Sequence, residues 1–244
     1  MTDPAFLFLA AVVFLSYTTQ AMTGFGSTVM ALTLGAHFYP ISYLVPVVVA
    51  LNLPQCIYMV RKHREHVDRD LLVRGILPWM GLGVVAGLSF AGLLQGLLLK
   101  RLFGLLVSAF AACELLRLLS GREDGPPMRL PVLRAWLAAA GVVHGVYASG
   151  GPLLTYALSR TKRDKAVFRS TLMSVWLVFN LVLQAAFMVK GRWTAEVGRG
   201  ALMLLPLLPA GILAGEWLHR RVPERGFRYA VQVLLIVSGA GLLR

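Results

Sequence analysis

The sequence predicts an all-α integral membrane protein built from two inverted repeats. Its 244 residues are 57% hydrophobic and 14% charged, whereas soluble domains are about 45–50% apolar and about 25% charged. Three long runs contain no charged side chain: Ile41–Val60, Gly75–Leu99 and Ser170–Val189. Because a helix needs about 20 such residues to cross the hydrocarbon core of a bilayer, each run predicts a membrane span.

Eight apolar segments are predicted along the chain, and two of them are interrupted by glycine-rich motifs. The first interruption is Gly24-Phe25-Gly26, and the second is Ser149-Gly150-Gly151-Pro152. The predicted segments are 5–36, 40–60, 73–94, 97–119, 131–159, 168–189, 197–218 and 226–243.

The chain divides into two related halves. A stretch rich in charge, Gly and Pro at 121–130 predicts a linker between a first membrane repeat at 1–120 and a second at 131–244. The pattern Ala21-x-x-Gly24-x-Gly26-Ser27 matches Gly145-x-x-Ala148-x-Gly150-Gly151, 124 residues later. At an offset of 128 residues, Pro78, Gly83 and Gly87 match Pro206, Gly211 and Gly215. Internal repeats of this kind are typical of secondary transporters.

The loop charges predict how the segments cross the membrane. If all eight segments cross, alternate loops carry 13 and 11 Lys and Arg residues, which gives no orientation. If both interrupted segments are hairpins that return to the side they entered, the loops carry 18 and 6. The second arrangement obeys the positive-inside rule. It predicts six crossing helices and two hairpins, with the second half inverted and both termini outside.

The two interruptions predict a binding site for a small anion. Backbone that leaves helical geometry inside a bilayer must be buried or must line a cavity, and the N-terminus of the helix that follows attracts negative charge. Close helix packing at small residues is the alternative role for the glycines. The candidate residues are Gln20, Thr23, Gly24, Phe25, Gly26, Ser27, Asn52, His144, Tyr147, Ser149, Gly150, Gly151 and Arg169.

Three of these candidates have alternative roles that the sequence leaves open. Arg169 begins an apolar span, where its guanidinium can bind an oxyanion or anchor the helix at the lipid headgroups. His144 can carry a coupling proton or be a neutral structural histidine. Asn52 can contact the substrate or make hydrogen bonds between helices.

Composition and motifs exclude several other classes of function. The net charge of +13 is carried by short loops between apolar segments, so it favours membrane orientation and anionic lipid rather than nucleic acid. The two cysteines, Cys56 and Cys113, have no His or Cys at ligand spacing, so no metal site is predicted. Paired carboxylates, a nucleophile with its base, and a phosphate-binding loop are all missing from the sequence. We therefore expect no enzyme activity and no cofactor.

Each half resembles one repeat of the TauE/SafE family, the sulfite and organosulfonate exporters and related permeases. The resemblance rests on the glycine-rich break that opens each half and on Arg169-Ser170-Thr171-Leu-Met-Ser174, and it implies that Thr171 also belongs to the substrate site. It extends through the helix with Pro206, Gly211 and Gly215 to the basic turn Arg220-Arg221-Val-Pro223-Glu-Arg225. The first half departs from the pattern, because Val45 stands at the counterpart of Arg169. An anion site would therefore be asymmetric.

The resemblance implies an exporter of a small sulfur-containing anion, such as sulfite or an organosulfonate, in the bacterial inner membrane. Such a transporter alternates access to a midplane site formed by the two breaks. A permease for another small anion, a carboxylate or a metal ion is an alternative, as is a membrane scaffold without transport. A metal permease would need acidic ligands, and a scaffold would need unbroken helices. A coupling proton or other ion and a homo-oligomer are left open.

Overall fold

The computed structural model describes residues 3–92, 96–120, 128–158, 164–221 and 224–244, and all regular structure within these ranges is helical. Most of the predicted linker at 121–130 and residues 159–163 lie outside the described residues. The helices are α1 (Pro4–Thr23), α2 (Ser27–Gly35), α3 (Ile41–Lys62), α4 (Leu77–Phe90), α5 (Gly96–Ser120), α6 (Leu130–Tyr147), α7 (Gly151–Leu158), α8 (Lys165–Val189), α9 (Ala195–Leu204), α10 (Leu207–Arg221) and α11 (Glu224–Gly241).

Helix length and composition confirm the predicted all-α membrane class. Six helices in the described ranges are long and apolar enough to cross a membrane, or seven if α9 and α10 count as one bent span. Many large apolar side chains face outward, for example Leu82, Val189 and Leu202, which are 65%, 88% and 69% exposed. A lipid environment explains this exposure, because outward apolar surface costs nothing in hydrocarbon.

Both interrupted segments fold back on themselves. The ring of Phe38, just after α2, lies 4.9 Å from the ring of Phe8 near the start of α1. In the second half, the ring of Tyr156 in α7 lies 5.0 Å from that of Trp136 in α6. In each case the short helix therefore runs back along the longer helix that precedes it, so that α1–α2 and α6–α7 are helical hairpins.

The long helix of each hairpin packs against a helix from the other half of the chain. Helix α4 packs on α6, and α10 packs on α1. A β-carbon on Gly87 would lie 3.0 Å from the Cα of Gly145, and one on Gly215 would lie 2.6 Å from the Cβ of Ala21. These two contacts join residues that match at the same offsets, 128 and 124, found in the sequence. The repeated pattern of small residues therefore corresponds to a repeated helix–helix contact.

Two matched prolines distort the helices that they enter. Residues Leu71–Ile76 form a π-helical stretch that leads into α4 just before Pro78. Helices α9 and α10 meet at Leu205–Pro206 with a bend of 45°. Proline lacks the amide hydrogen that the preceding turn needs, so both distortions have the same cause. The prediction of one uninterrupted segment at 197–218 was wrong at this bend.

Side-chain contacts define the two ends of the bundle. We call the end of the bundle at which α3 and α10 finish the basic end. There, the Lys62 ammonium lies 2.7 Å from the Glu216 carboxylate, which joins α3 to α10. At the opposite end, His37 contacts Ser238 of α11, and the Lys190 ammonium donates to the Leu88 carbonyl oxygen over 2.9 Å.

Candidate functional site

The first break is produced by two glycines in left-handed backbone. Gly24 has φ 91° and ends α1, and Gly26 has φ 101° and precedes α2. L-residues rarely adopt such angles, which explains the glycine at both positions. The Thr23 hydroxyl lies within hydrogen-bond distance of the carbonyl oxygens of Thr19 and Phe25. Within the part of the chain that the structure describes, no side chain caps the N-terminus of α2, so its first amides are left uncapped at the break.

The second break contains a strained alanine and an unpartnered hydroxyl. Helix α6 ends at Tyr147 because Ala148 has φ 52°, a left-handed conformation that costs an L-residue about 1–2 kcal/mol. A β-carbon on Gly150 would overlap a carbonyl oxygen of α6, so only glycine fits there, and α7 then begins at Gly151. The Ser149 hydroxyl is buried and has no hydrogen-bond partner among the described residues.

The two breaks touch each other. A β-carbon on Gly151 would lie 3.7 Å from the ring of Phe25 and 3.8 Å from the indole ring of Trp176. The Trp176 N–H donates to the Gly24 carbonyl oxygen over 3.1 Å. Trp176 of α8 therefore contacts both breaks, and its hydrogen bond satisfies a carbonyl that the end of α1 leaves free.

A buried polar cluster holds the first hairpin against α3. The Gln20 amide donates to the Asn52 side-chain oxygen over 3.0 Å, and the Asn52 amide donates to the Ser27 hydroxyl over 3.1 Å. The Ser27 hydroxyl in turn donates to the Gln20 side-chain oxygen, and the Cys56 thiol donates to Asn52. These groups satisfy one another, so in this conformation Asn52 makes hydrogen bonds between helices.

The corresponding pair in the second half is less well satisfied. His144 and Asn180 stand at the counterparts of Gln20 and Asn52, at the offsets of 124 and 128 residues. The His144 ring is buried and stacks on the Trp176 ring at 5.4 Å between centroids. Neither ring nitrogen makes a hydrogen bond of standard geometry among the described residues, and the Asn180 side chain is its polar neighbour. The polar group of the second break therefore retains free hydrogen-bonding capacity.

Arg169 lies directly beside the first break. A β-carbon on Gly24 would be 3.1 Å from the Cγ of Arg169 and 3.3 Å from its Cα. Its guanidinium is half-buried and lies 3.7 Å from the Met59 sulfur. No carboxylate of the described residues lies within 4.0 Å of it. The charge of Glu216 also acts on the guanidinium, although that carboxylate makes its ion pair with Lys62.

Two predicted site residues have other contacts. The Thr171 hydroxyl accepts the backbone N–H of Asp68 over 3.0 Å, which ties the turn after α3 to α8. The Tyr147 hydroxyl donates to the Leu99 carbonyl oxygen over 3.1 Å. In these positions both side chains connect helices beside the breaks.

Sequence reasoning missed Trp176, although a signal was present. Arg169, Met173 and Trp176 are spaced i, i+4 and i+7, so they lie on one face of α8. Met173 places its sulfur 3.7 Å from the Gln20 side-chain nitrogen, and the other two residues contact Gly24. The helical spacing from Arg169 would have placed all three against the first break.

One group of three potential metal ligands occurs among the described residues, at the basic end. Ligand atoms of His63, Glu65 and His66 lie within 4.8 Å of one another. The group is in the turn after α3, among Lys62 and Arg64, whose positive charges oppose cation binding. Burial, together with the charges of Arg169 and Lys62, lowers the pKa of His63. The group lies outside the two breaks, and we assign it no metal.

Comparisons with known proteins agree with this architecture. The family model described as "Sulfite exporter TauE/SafE" matches residues 9–242. The Comamonas testosteroni protein named "Probable inner membrane transporter protein TsaS" is 29% identical over 171 residues, which cover 70% of each chain. No solved structure matches the chain significantly. Since the family match extends over nearly the whole chain, the protein belongs to the sulfite exporter TauE/SafE family of membrane transporters.

Proposed function

We propose that this protein is a secondary transporter that exports a small sulfur-containing anion, such as sulfite or an organosulfonate, across the bacterial inner membrane. The observation that carries the proposal is the contact between the two breaks, where Phe25 meets Gly151 and Trp176 touches both. Broken backbone deep in a helical bundle is a mark of substrate sites in transporters. The names of the family and of the relative support the class of substrate and the membrane.

The helix contacts support an inverted arrangement of the two halves. We place the hairpin α1–α2 as entering from the outer face and α6–α7 as entering from the inner face, so that their tips meet inside the bilayer. The basic end then faces the cytoplasm, as the positive-inside rule requires, and both termini face outward. Helix α1 is long enough to span the core, and Gly24 lies against the first turns of α8. The first break is therefore nearer to the basic end than to the middle of the bilayer.

The groups around the breaks suit an oxyanion. The uncapped N-terminus of α2 offers amide hydrogens and positive partial charge. Among the described residues, the Ser149 hydroxyl is buried without a hydrogen-bond partner, and the Arg169 guanidinium has no carboxylate within 4.0 Å. Buried polar groups without partners are unfavourable, so an anion that accepts hydrogen bonds from them gains free energy.

Transport would require two conformations with different affinities for the anion. The Lys62–Glu216 ion pair joins α3 to α10 at the basic end, and the exchanged contacts α4–α6 and α1–α10 connect each hairpin to the opposite half. Movement of the halves about these contacts would open the breaks to one face at a time. If a proton is the coupling ion, His144, stacked on Trp176, is the candidate to carry it; otherwise it is a neutral structural histidine.

Flux in proteoliposomes tests the proposal. Purified protein is reconstituted, and uptake of radiolabelled sulfite, sulfoacetate and taurine is followed with and without a pH gradient. We expect saturable flux of at least one of these three compounds. No flux of any of them by the wild-type protein would remove the proposed function.

Arg169→Ala tests the site itself. Hydrogen bonds to charged groups contribute about 1.5–3 kcal/mol, so loss of the guanidinium should raise KM about 10- to 100-fold, and Arg169→Lys should recover part of the loss. Arg74→Ala is the matched control, because Arg74 is an exposed arginine paired with Asp70 at the same end. Unchanged flux in Arg169→Ala, with an intact fold, would mean that the arginine only anchors α8.

A further inference from the structure

A second feature lies at the end of the bundle opposite to the basic end. A cavity of about 770 Å³ opens there between the turn after α2, the turn between α4 and α5, and the residues that follow α8. Its lining includes the basic side chains His37, Lys100, Lys190 and Arg192.

The lining of this cavity is one-sided in charge. Lys100, Lys190 and Arg192 are cationic, and the described residues of the lining include no Asp or Glu. In the described part of the chain, none of the three has a carboxylate within 4.0 Å. These cations stand at the end that has few basic residues, so membrane orientation does not account for them.

Two of the cations are held in place by the protein. The Lys190 ammonium donates to the Leu88 carbonyl oxygen, at the C-terminal end of α4. The Arg192 guanidinium is half-buried and lies 5.3 Å from the centre of the Phe187 ring. A helix C-terminus and an aromatic face both favour a cation, so the positive charge stays at the cavity wall.

The wall of the cavity adjoins the second break. Leu99 lines the cavity, and its carbonyl oxygen accepts the hydrogen bond of Tyr147, the last residue of α6. Leu88 also lines the cavity, and its backbone nitrogen would lie 2.9 Å from a β-carbon on Gly145. The cavity is therefore separated from the second break by one layer of residues.

We propose that this cavity is an anion-binding vestibule that takes small oxyanions at the outer end of the transport path. The inference rests on the proposed function and adds a second, peripheral site to it. Fixed cations around a concave opening with low-dielectric walls raise the local concentration of anions. In an exporter this holds for anions that leave the transport path as well as for anions that arrive from the outer solution. The effect weakens with salt, since charges are screened over about 8–10 Å at physiological ionic strength.

Thiol labelling tests the vestibule without requiring transport. Ser42 lines the cavity and is exposed, so Ser42→Cys places the thiol to be labelled there. Cys113→Ser removes the exposed native thiol, whereas Cys56 is buried and is kept. The rates of reaction with an anionic and a cationic methanethiosulfonate are compared in vesicles of neutral phosphatidylcholine. We expect the anionic-to-cationic rate ratio to fall about tenfold when Lys100, Lys190 and Arg192 are all changed to Gln. We also expect millimolar sulfoacetate, which does not react with methanethiosulfonates, to slow labelling of the parent variant.

Arg101→Gln is the matched control, because Arg101 neighbours Lys100, is exposed and does not line the cavity. It should leave the rate ratio unchanged. The proposal is overturned if the triple variant keeps the parent ratio, if Arg101→Gln lowers the ratio equally, or if charge dependence arises only when phosphatidylglycerol is added. The last result would assign the site to a lipid headgroup.

A flux measurement separates this inference from the proposed function. In wild-type protein that transports sulfite, the triple variant should raise the KM for sulfite presented on the vestibule side about three- to tenfold, with a smaller effect at 1 M salt. If the wild-type protein carries no anion but the labelling ratio still responds to the three cations, the proposed function fails and the vestibule stands.

Discussion

One added methyl group between α4 and α6 should strongly disturb this protein. A β-carbon on Gly83 would overlap the carbonyl oxygen of Ala138 and lie 2.9 Å from the Cα of Gly141. Backbone atoms cannot rotate away as a side chain can, so the helices must separate, and overpacking of this kind costs about 1–3 kcal/mol. Because α6 leads into the second break, we expect Gly83→Ala to lower both the free energy of unfolding and anion flux.

Two other glycines provide a graded comparison. A β-carbon added to Gly211, the counterpart of Gly83 in the second half, would lie 3.2 Å from the Phe14 carbonyl oxygen. A small shift between the two helices would accommodate it. On α4 itself, a β-carbon added to Gly81 would lie 3.8 Å from the Phe179 ring, its nearest neighbour. Alanine is favoured over glycine within a helix by about 0.5–1 kcal/mol. We expect Gly81→Ala to match or exceed wild-type stability, Gly211→Ala to lose a little, and Gly83→Ala to lose most.

Thermal unfolding in lipid nanodiscs measures this order, and sulfite flux measures its consequence. A loss of about 1 kcal/mol lowers Tm by about 2–4 °C in a chain of this length, so Gly83→Ala should melt at least about 2 °C below wild type. The packing argument is refuted if Gly83→Ala and Gly81→Ala melt at the same temperature, or if Gly211→Ala is the least stable of the three.

Two further predictions concern the basic end. Glu216→Gln removes the ion pair with Lys62, whose side chain is 39% exposed, so the free energy of unfolding should fall by less than about 1 kcal/mol. Thermal unfolding at low and high salt measures this change. A destabilisation of equal size at 1 M salt would show that the ion pair does not cause it. Burial, aided by the charges of Arg169 and Lys62, lowers the pKa of His63 below that of a free histidine. Between the two values the unfolded chain binds more protons than the folded chain, so the free energy of unfolding should fall as pH drops below about 6.5. In His63→Gln, denaturation profiles should show a smaller loss over the same pH range, and an unchanged pH dependence would contradict this assignment.

The polar side chains at the first break satisfy their hydrogen bonds, whereas those at the second break do so only in part. In the first half, Gln20 and Asn52 bond to each other and to the hydroxyl that opens α2. In the second half, His144 stacks on Trp176 without a standard hydrogen bond among the described residues. The second break therefore retains more unused hydrogen-bonding capacity than the first, whereas Arg169 lies beside the first break.

The sequence alone determined the membrane class, the helix spans and the two breaks. Each of these depends on local properties, since a helix in lipid satisfies its own backbone hydrogen bonds and glycine permits left-handed backbone wherever it stands. The strain at Ala148 was not predictable, because alanine adopts φ 52° only where the surrounding structure holds it there.

Only the tertiary structure decided which breaks and side chains meet. Phe25 and Gly151 are far apart in the chain, and their contact depends on how α8 places Trp176 between the two hairpins. The position of Pro206 in the sequence likewise did not reveal whether its helix would continue or bend by 45°. The outcome depends on whether neighbouring helices satisfy the backbone groups that proline leaves without a hydrogen bond. Local hydrophobicity and backbone freedom are encoded residue by residue, whereas the close approach of the two breaks arises from packing among segments more than a hundred residues apart.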